Sequence, residues 1–338
     1  MPHSSSQPPQ IYSPWPHRLA VALLCAAFPL IWVGGLVTTY RAGMAVPDWP
    51  NTYGYNLFLY PWTTWVAGPW DLFIEHGHRL LGALVGLLTI ALVAEIWRND
   101  ARRWLRWLAA LALALVVLQG VLGGLRVVLD RVLLAKIHGC TGPAFFALAT
   151  ALAVFTSRTW HVRRPVEHAA AGRGQRLAVG LAVLAYVQLL IGAEMRHLSA
   201  GMAPADFRTA LVFHIILAAA LVVNAAWLVG VTIVHWSANR ELLRPAIALT
   251  VLLFVQLALG ACTWLAKYGW PNWLDPWSLA AGYVVQAEGF AASLLATAHV
   301  ANGSLILAVS VVAALRTCAW LRQPIGRRAS LRLLEVAA

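Results

Sequence analysis

Eight apolar runs, at about 19–39, 76–97, 104–125, 133–156, 176–196, 209–234, 246–266 and 290–315, leave this chain one class of solution. Each has roughly the 20 residues that an α-helix needs to cross a hydrocarbon core about 30 Å thick. Backbone in lipid must satisfy its own hydrogen bonds, so single runs of this length cross as helices and not as strands. Composition agrees: with 60% hydrophobic and 11% charged residues among 338, the chain has too little polar surface to clothe a soluble globule. The expected fold class is an all-α integral membrane protein with eight transmembrane helices.

Charge sets the expected orientation. Arg18, the Arg98 to Arg106 cluster, the Arg158 to Arg176 loop, Arg240, Arg244 and the tail from Arg316 to Arg332 fall on one side of an eight-span chain. The positive-inside rule makes that side cytoplasmic, with both termini on it. The formal net charge of +12 then faces anionic lipid and needs no nucleic-acid partner. The first 18 residues are nearly uncharged, unlike an Arg-rich transit peptide, and no small-residue cleavage site follows the first run. A bacterial cytoplasmic (inner) membrane is the expected location. Cys25, Cys140, Cys262 and Cys318 fall within or at the ends of spans, never as a close pair, and read as small buried hydrophobes without a disulfide.

The chain repeats itself. Ala42-Gly43-Met44-Ala45 and Ala200-Gly201-Met202-Ala203 each follow a span and lead to a Pro and an Asp; Gln119 with Gly123 and Gln256 with Gly260 each put a Gln and a Gly on one helix face. His78 corresponds to His214 and His138 to His299, in the same order. The expectation is two pseudo-symmetric four-helix bundles related by an axis along the membrane normal. The domains expected are an N-terminal tail (1–18), a first half (19–156), a linker (157–175), a second half (176–315) and a C-terminal tail (316–338).

Each half thus offers one histidine on its second span and one on its fourth. A lone histidine in a span is most often a hydrogen-bonded packing residue. Paired on facing helices of a bundle, two imidazoles can ligate one heme iron axially. Zinc and copper fit less well, because no soft or carboxylate ligands stand at these positions to complete their sets. All four histidines lie toward the outer leaflet, which places the two sites side by side. His76 points elsewhere on its helix, and His3, His17, His161, His168 and His235 lie where solvent accounts for them.

The halves are unequal. The first carries Glu75-His76-Gly77-His78-Arg79, whereas the second reads Leu211-Val212-Phe213-His214-Ile215. Glu75 lies three residues before His78, on the same helix face. A carboxylate is also favoured by a helix N-terminus, and Arg79 either snorkels to the headgroups or pairs with a heme propionate.

The run Ile74 to Gly82, the Gln119 to Gly124 segment followed by His138, Arg196-His197 with Ala200-Gly201, His214, and Ala298-His299-Val300-Ala301-Asn302-Gly303 together resemble the heme A synthase family of eight-span membrane proteins. The resemblance covers about residues 30–315. It implies oxidation of a porphyrin methyl group of heme O to a formyl group, giving heme A for terminal oxidase assembly. By the same resemblance His78 and His138 would hold the substrate heme, Glu75 would be the catalytic acid-base or water-positioning residue, and His214 with His299 would ligate a heme b. Heme O synthase, oxidase assembly proteins and an electron acceptor would be the partners; self-association into a homo-oligomer is left open. Two departures stand out: the first outer loop lacks the cysteine pair that some members carry, and Ile215 follows His214 where a basic residue often stands.

The segment from about Arg41 to Asp71 is aromatic, with Trp49, Tyr53, Tyr55, Phe58, Tyr60, Trp62, Trp65 and Trp70. It reads either as an interfacial belt or as a cover over the substrate porphyrin, and Trp270, Trp273 and Trp277 would serve the second half alike. The alternative functions are a di-heme b-type electron-transfer cytochrome and a transporter. The first wants hemes near opposite leaflets, and the second wants polar residues in broken helices near the midplane.

Overall fold

The computed structural model describes residues 13–196, 203–269 and 289–324. Its helices are α1 (Trp15–Thr39), α2 (Trp62–Val66), α3 (Trp70–Asn99), α4 (Arg103–Val128), α5 (Val132–Thr156), α6 (Arg158–His161), α7 (Ala171–Arg196), α8 (Pro204–Trp236), α9 (Arg240–Tyr268) and α10 (Phe290–Trp320). Eight of them, all but α2 and α6, are long and apolar enough to cross a membrane. The chain is an all-α multi-pass membrane protein.

The helices overrun the apolar stretches that announce them, because an α-helix continues past the hydrocarbon wherever its ends find polar partners. α3 starts at Trp70, after Pro69 and with Asp71 in its first turn, so Glu75 lies well inside it. α7 starts at Ala171 and α10 runs to Trp320, which shortens the expected linker and moves the start of the C-terminal tail. That linker is tied down: β1 (Val166–Glu167) pairs in parallel with β2 (Leu321–Arg322), and Trp160, Trp236 and Trp320 pack together beneath it. Pro29, Pro143 and Pro245 sit inside helices, where neighbouring helices can accommodate the lost hydrogen bond.

Helix neighbours follow a two-fold pattern. In the first half α1 packs on α3 and α5, and α4 on α3 and α5; in the second half α7 packs on α8 and α10, and α9 on α8 and α10. Between the halves α1 meets α10, α5 meets α7, and α5 meets α10. The first two are equivalent under exchange of halves and the third maps onto itself, as an isologous seam requires. α5 and α10 are the most buried spans, and small side chains on one face of α10 (Ala301, Ser304, Ala308) let it enter that seam.

Lipid-facing surface explains the exposed apolar residues of α8 and α9, such as Phe213, Ile216, Val251 and Phe254. It also corrects one expectation. Cys25, Cys262 and Cys318 are exposed, and only Cys140 is partly buried; a small thiol is as compatible with lipid as with a core. His17 is likewise engaged, its Nδ1 3.0 Å from the Ala153 carbonyl.

Candidate functional site

The N-terminal ends of α3, α5, α8 and α10 lie at one end of the bundle and bring two pairs of imidazoles together there. The ring centroids of His78 and His138 are 6.3 Å apart, and those of His214 and His299 are also 6.3 Å apart. A metal–nitrogen bond of about 2 Å plus about 1.2 Å from nitrogen to ring centroid, taken once per ring, gives about 6.4 Å. Both gaps match the separation that two imidazoles would have if they shared one metal ion.

The donor set points to heme rather than to a bare ion. Among the described residues no group of three or more His, Cys, Asp or Glu converges, so a tetrahedral metal is not served, whereas a porphyrin brings its own four equatorial nitrogens and needs only the axial pair. At His138 the ring orientation agrees. His138 Nδ1 donates to the Gln119 carbonyl at 3.1 Å, the outer bond that commits a ligating histidine to its other nitrogen. The Nδ1 atoms of His78, His214 and His299 are buried without a hydrogen-bond partner among the described residues. In the second half the Gln256 amide nitrogen lies 3.3 Å from His299 Nε2 while its oxygen accepts from Asn302 at 2.7 Å. Iron ligation by His299 would replace the first of these contacts.

Glu75 is 3% exposed. Its Oε2 accepts from the Val46 amide at 2.9 Å and its Oε1 from Arg79 Nη2 at 2.8 Å. Arg79 also donates to the carbonyls of Asp48 (2.7 Å), Asn51 (2.8 Å) and Val46 (2.8 Å). The guanidinium that the sequence offered to a propionate is thus spent on the loop after α1. His76, 2% exposed, sits with Nδ1 3.0 Å from Thr52 Oγ1 and with its ring against Tyr60 and Trp65. It points away from His78, as expected.

The same loop reaches α4. The Trp49 indole packs on Gly124, and the Arg126 guanidinium lies against Gly43, both so closely that a Cβ at either glycine has no room. Asp48 holds the tip by accepting from the amides of Tyr53 and Gly54, each at 2.8 Å. Burial alone would raise its pKa, but these N–H donors and Arg79 outweigh it and hold the carboxyl below its ordinary value. The aromatic segment is fastened to α3 and α4 beside the first histidine pair, and its outer aromatic side chains, Trp49, Tyr53, Tyr55, Phe58, Trp62 and Trp70, are exposed. Trp270, Trp273 and Trp277 lie outside the described residues, as do His197 and the Ala200-Gly201-Met202 stretch.

Comparison with known proteins gives this arrangement a family. Residues 69–277, more than half of the chain, match the family described as cytochrome oxidase assembly protein. The heme A synthase of Shouchella clausii is 27% identical over 196 residues, covering 56% of this chain and 62% of that protein. The heme A synthase of Symbiobacterium thermophilum is 33% identical over 195 residues, covering 54% and 60%. The chain belongs to the heme A synthase family. A shorter match, 33% over 108 residues, is to a protoheme IX farnesyltransferase of Halobacterium salinarum and covers 30% of this chain and 22% of that protein. The matches to the two synthases span less than two thirds of their length.

Within this heme A synthase family member, two features of the site escape a reading of the histidines alone. Arg126, seven residues after Gln119, lies against Gly43, and its charged neighbours among the described residues are Glu75, Arg79 and Asp130. Seven residues after Gln256 stands Thr263, whose buried hydroxyl has no partner among the described residues. The second feature is a third Gln with a Gly four residues on, Gln188 with Gly192, whose amide donates to the His214 carbonyl at 3.0 Å. That pattern is visible in the sequence once the other two are known.

Proposed function

We propose that this protein is a heme A synthase that oxidises a porphyrin methyl group of heme O to the formyl group of heme A. The observation that carries the reading is two histidine pairs with the same 6.3 Å separation, of which, among the described residues, only the first has a buried carboxylate one turn away. In the first half His78 and His138 hold the substrate heme, Arg126 supplies a positive charge for a propionate, and the cover from Val46 to Trp65 keeps bulk water from the porphyrin. Glu75 accepts a proton or orients a water where the methyl group reacts. In the second half His214 and His299 hold a heme b, which supplies one-electron chemistry when bound. Glu75, His78, His138, His214, His299, Arg79 and Arg126 are the residues assigned, Arg79 as the residue that fastens the cover.

The protein lies in a bacterial cytoplasmic membrane with both termini inside, and it works with heme O, an electron acceptor, heme O synthase and oxidase assembly proteins. Placement of both pairs at one end of the bundle argues against a transmembrane electron carrier. Pigment extraction from the purified protein tests the reading: heme O or heme A accompanies heme b in a synthase. Heme b alone, from cells that make heme O, would favour the carrier. Replacing His214 or His299 by Ala removes the low-spin heme b signal; full retention in both variants refutes that ligand pair.

A further inference from the structure

Every histidine of the two pairs rests on a glycine of the preceding span. A Cβ placed on Gly34 of α1 would lie 2.7 Å from His78 Cε1, one on Gly123 of α4 3.2 Å from His138 Cε1, one on Gly192 of α7 3.4 Å from His214 Cε1, and one on Gly260 of α9 3.1 Å from His299 Cε1. Four helix pairs, two in each half, repeat one contact. In three of them a glutamine stands four residues before the glycine. At that position the Gln119 carbonyl accepts from His138 Nδ1 at 3.1 Å.

We infer that Gly34, Gly123 and Gly260 are positioning residues that set the angle of their imidazoles, the missing Cβ letting the ring edge lie flush on the backbone so that Nε2 faces the partner histidine, while the 3.4 Å contact at Gly192 leaves room for a methyl group. The physical reason is steric. Carbon atoms in ordinary contact are about 3.5–4.0 Å apart, so a methyl group at 2.7 Å forces the ring to turn or the helix to move, and one at 3.1–3.2 Å pushes it by a few tenths of an ångström. Both nitrogens of a rigid ring then move together, which weakens ligation and the Nδ1 contact at once. Small residues also bring membrane helices close in general, but that alone does not explain these sites. Gly82 on α3 and Gly120 on α4 have nothing within 4 Å of a built Cβ.

The contacts predict a graded outcome. Titrating the purified full chain with ferric heme b, followed by optical and electron paramagnetic resonance spectra, reads the two bis-histidine centres; loss of a ligand-supporting contact typically costs about 10- to 100-fold in affinity. Gly34→Ala should weaken the His78–His138 centre by about tenfold or more and leave the second-half centre intact, which doubles as proof of folding. Gly260→Ala should do the reverse, Gly123→Ala should have a smaller effect on the first centre, and Gly192→Ala and Gly120→Ala should bind like the parent. The inference rests on the heme-binding reading, and the two fail differently. A parent protein with no bis-histidine spectrum overturns that reading and this inference with it. A parent with both centres, in which Gly34→Ala and Gly260→Ala bind like Gly120→Ala or lose both centres together, overturns only the positioning role.

Discussion

At the scale of the residue, Glu75 is the most consequential side chain, because it has two occupations. It accepts from Val46 and Arg79 and so helps fasten the cover, and it is the buried carboxylate nearest a proposed iron ligand along its helix. Glu75→Gln keeps an acceptor for the Val46 amide while removing the base. It should fold, bind both hemes and accumulate heme O or a partly oxidised product, as chromatography of extracted hemes would reveal. Normal heme A output from this variant, in cells lacking the parent, would return Glu75 to a structural role. Glu75→Ala leaves the buried Val46 amide without its acceptor and removes the ion pair to Arg79, and should cost a further ~1–3 kcal/mol, seen as a lower denaturation temperature in detergent. Helical spacing made the relation of Glu75 to His78 legible. The partners of Arg79 were not, since three of them are backbone carbonyls of an irregular loop and leave no pattern in side-chain identity.

At the scale of the element, the cover depends on a two-residue turn. Tyr53 (φ 49°) and Gly54 (φ 79°) both have positive φ between the paired residues Thr52 and Tyr55, the geometry of a tight hairpin turn. Only the second is a glycine, and Asp48 compensates by binding both amides. Because the folded-state pKa of Asp48 lies below its unfolded value, its contribution is present above about pH 4 and is lost as pH falls through the folded value. Amide-exchange protection of Tyr53 and Gly54, corrected for intrinsic rates, should therefore hold at neutral pH and collapse in acid. Asp48→Asn should show the weakened protection already at pH 7 and little pH dependence; unchanged protection in this variant would contradict the role given to Asp48.

At the scale of the whole molecule, the seam between the halves is a close helix contact. A Cβ on Gly35 of α1 would lie 2.6 Å from Thr297 Cγ2 of α10, the Gly35 carbonyl accepts from Arg196 Nη2 of α7 at 2.5 Å, and Thr39 meets Thr297 at 3.1 Å. Lys136 and Glu194 add an ion pair of 2.7 Å between α5 and α7. Gly35→Val should strain this junction by ~1–3 kcal/mol, lowering the thermal midpoint in detergent, whereas Gly86→Val, with nothing near its Cβ, should be close to neutral. Sidedness is a separate matter of charge: a reporter fused after Ala338 should be active only in the cytoplasm, since moving several loop arginines through lipid costs roughly 2.5–3.5 kcal/mol each at its centre. Activity on the other side would reverse the assigned orientation.

The number of spans and the four histidines were legible because lipid imposes a length on every helix and penalises polar side chains in the hydrocarbon, so hydropathy and rare imidazoles carry the signal. The repeat made the pairing readable as well. Tertiary structure alone decided which atoms fill the space around the imidazoles. The fit of Gly34 to His78, of Arg126 to Gly43 and of the Asp48 loop to α3 and α4 depends on the separation and rotation of helices to within ångströms. Those quantities come from packing between residues far apart in the chain, and no local pattern encodes them.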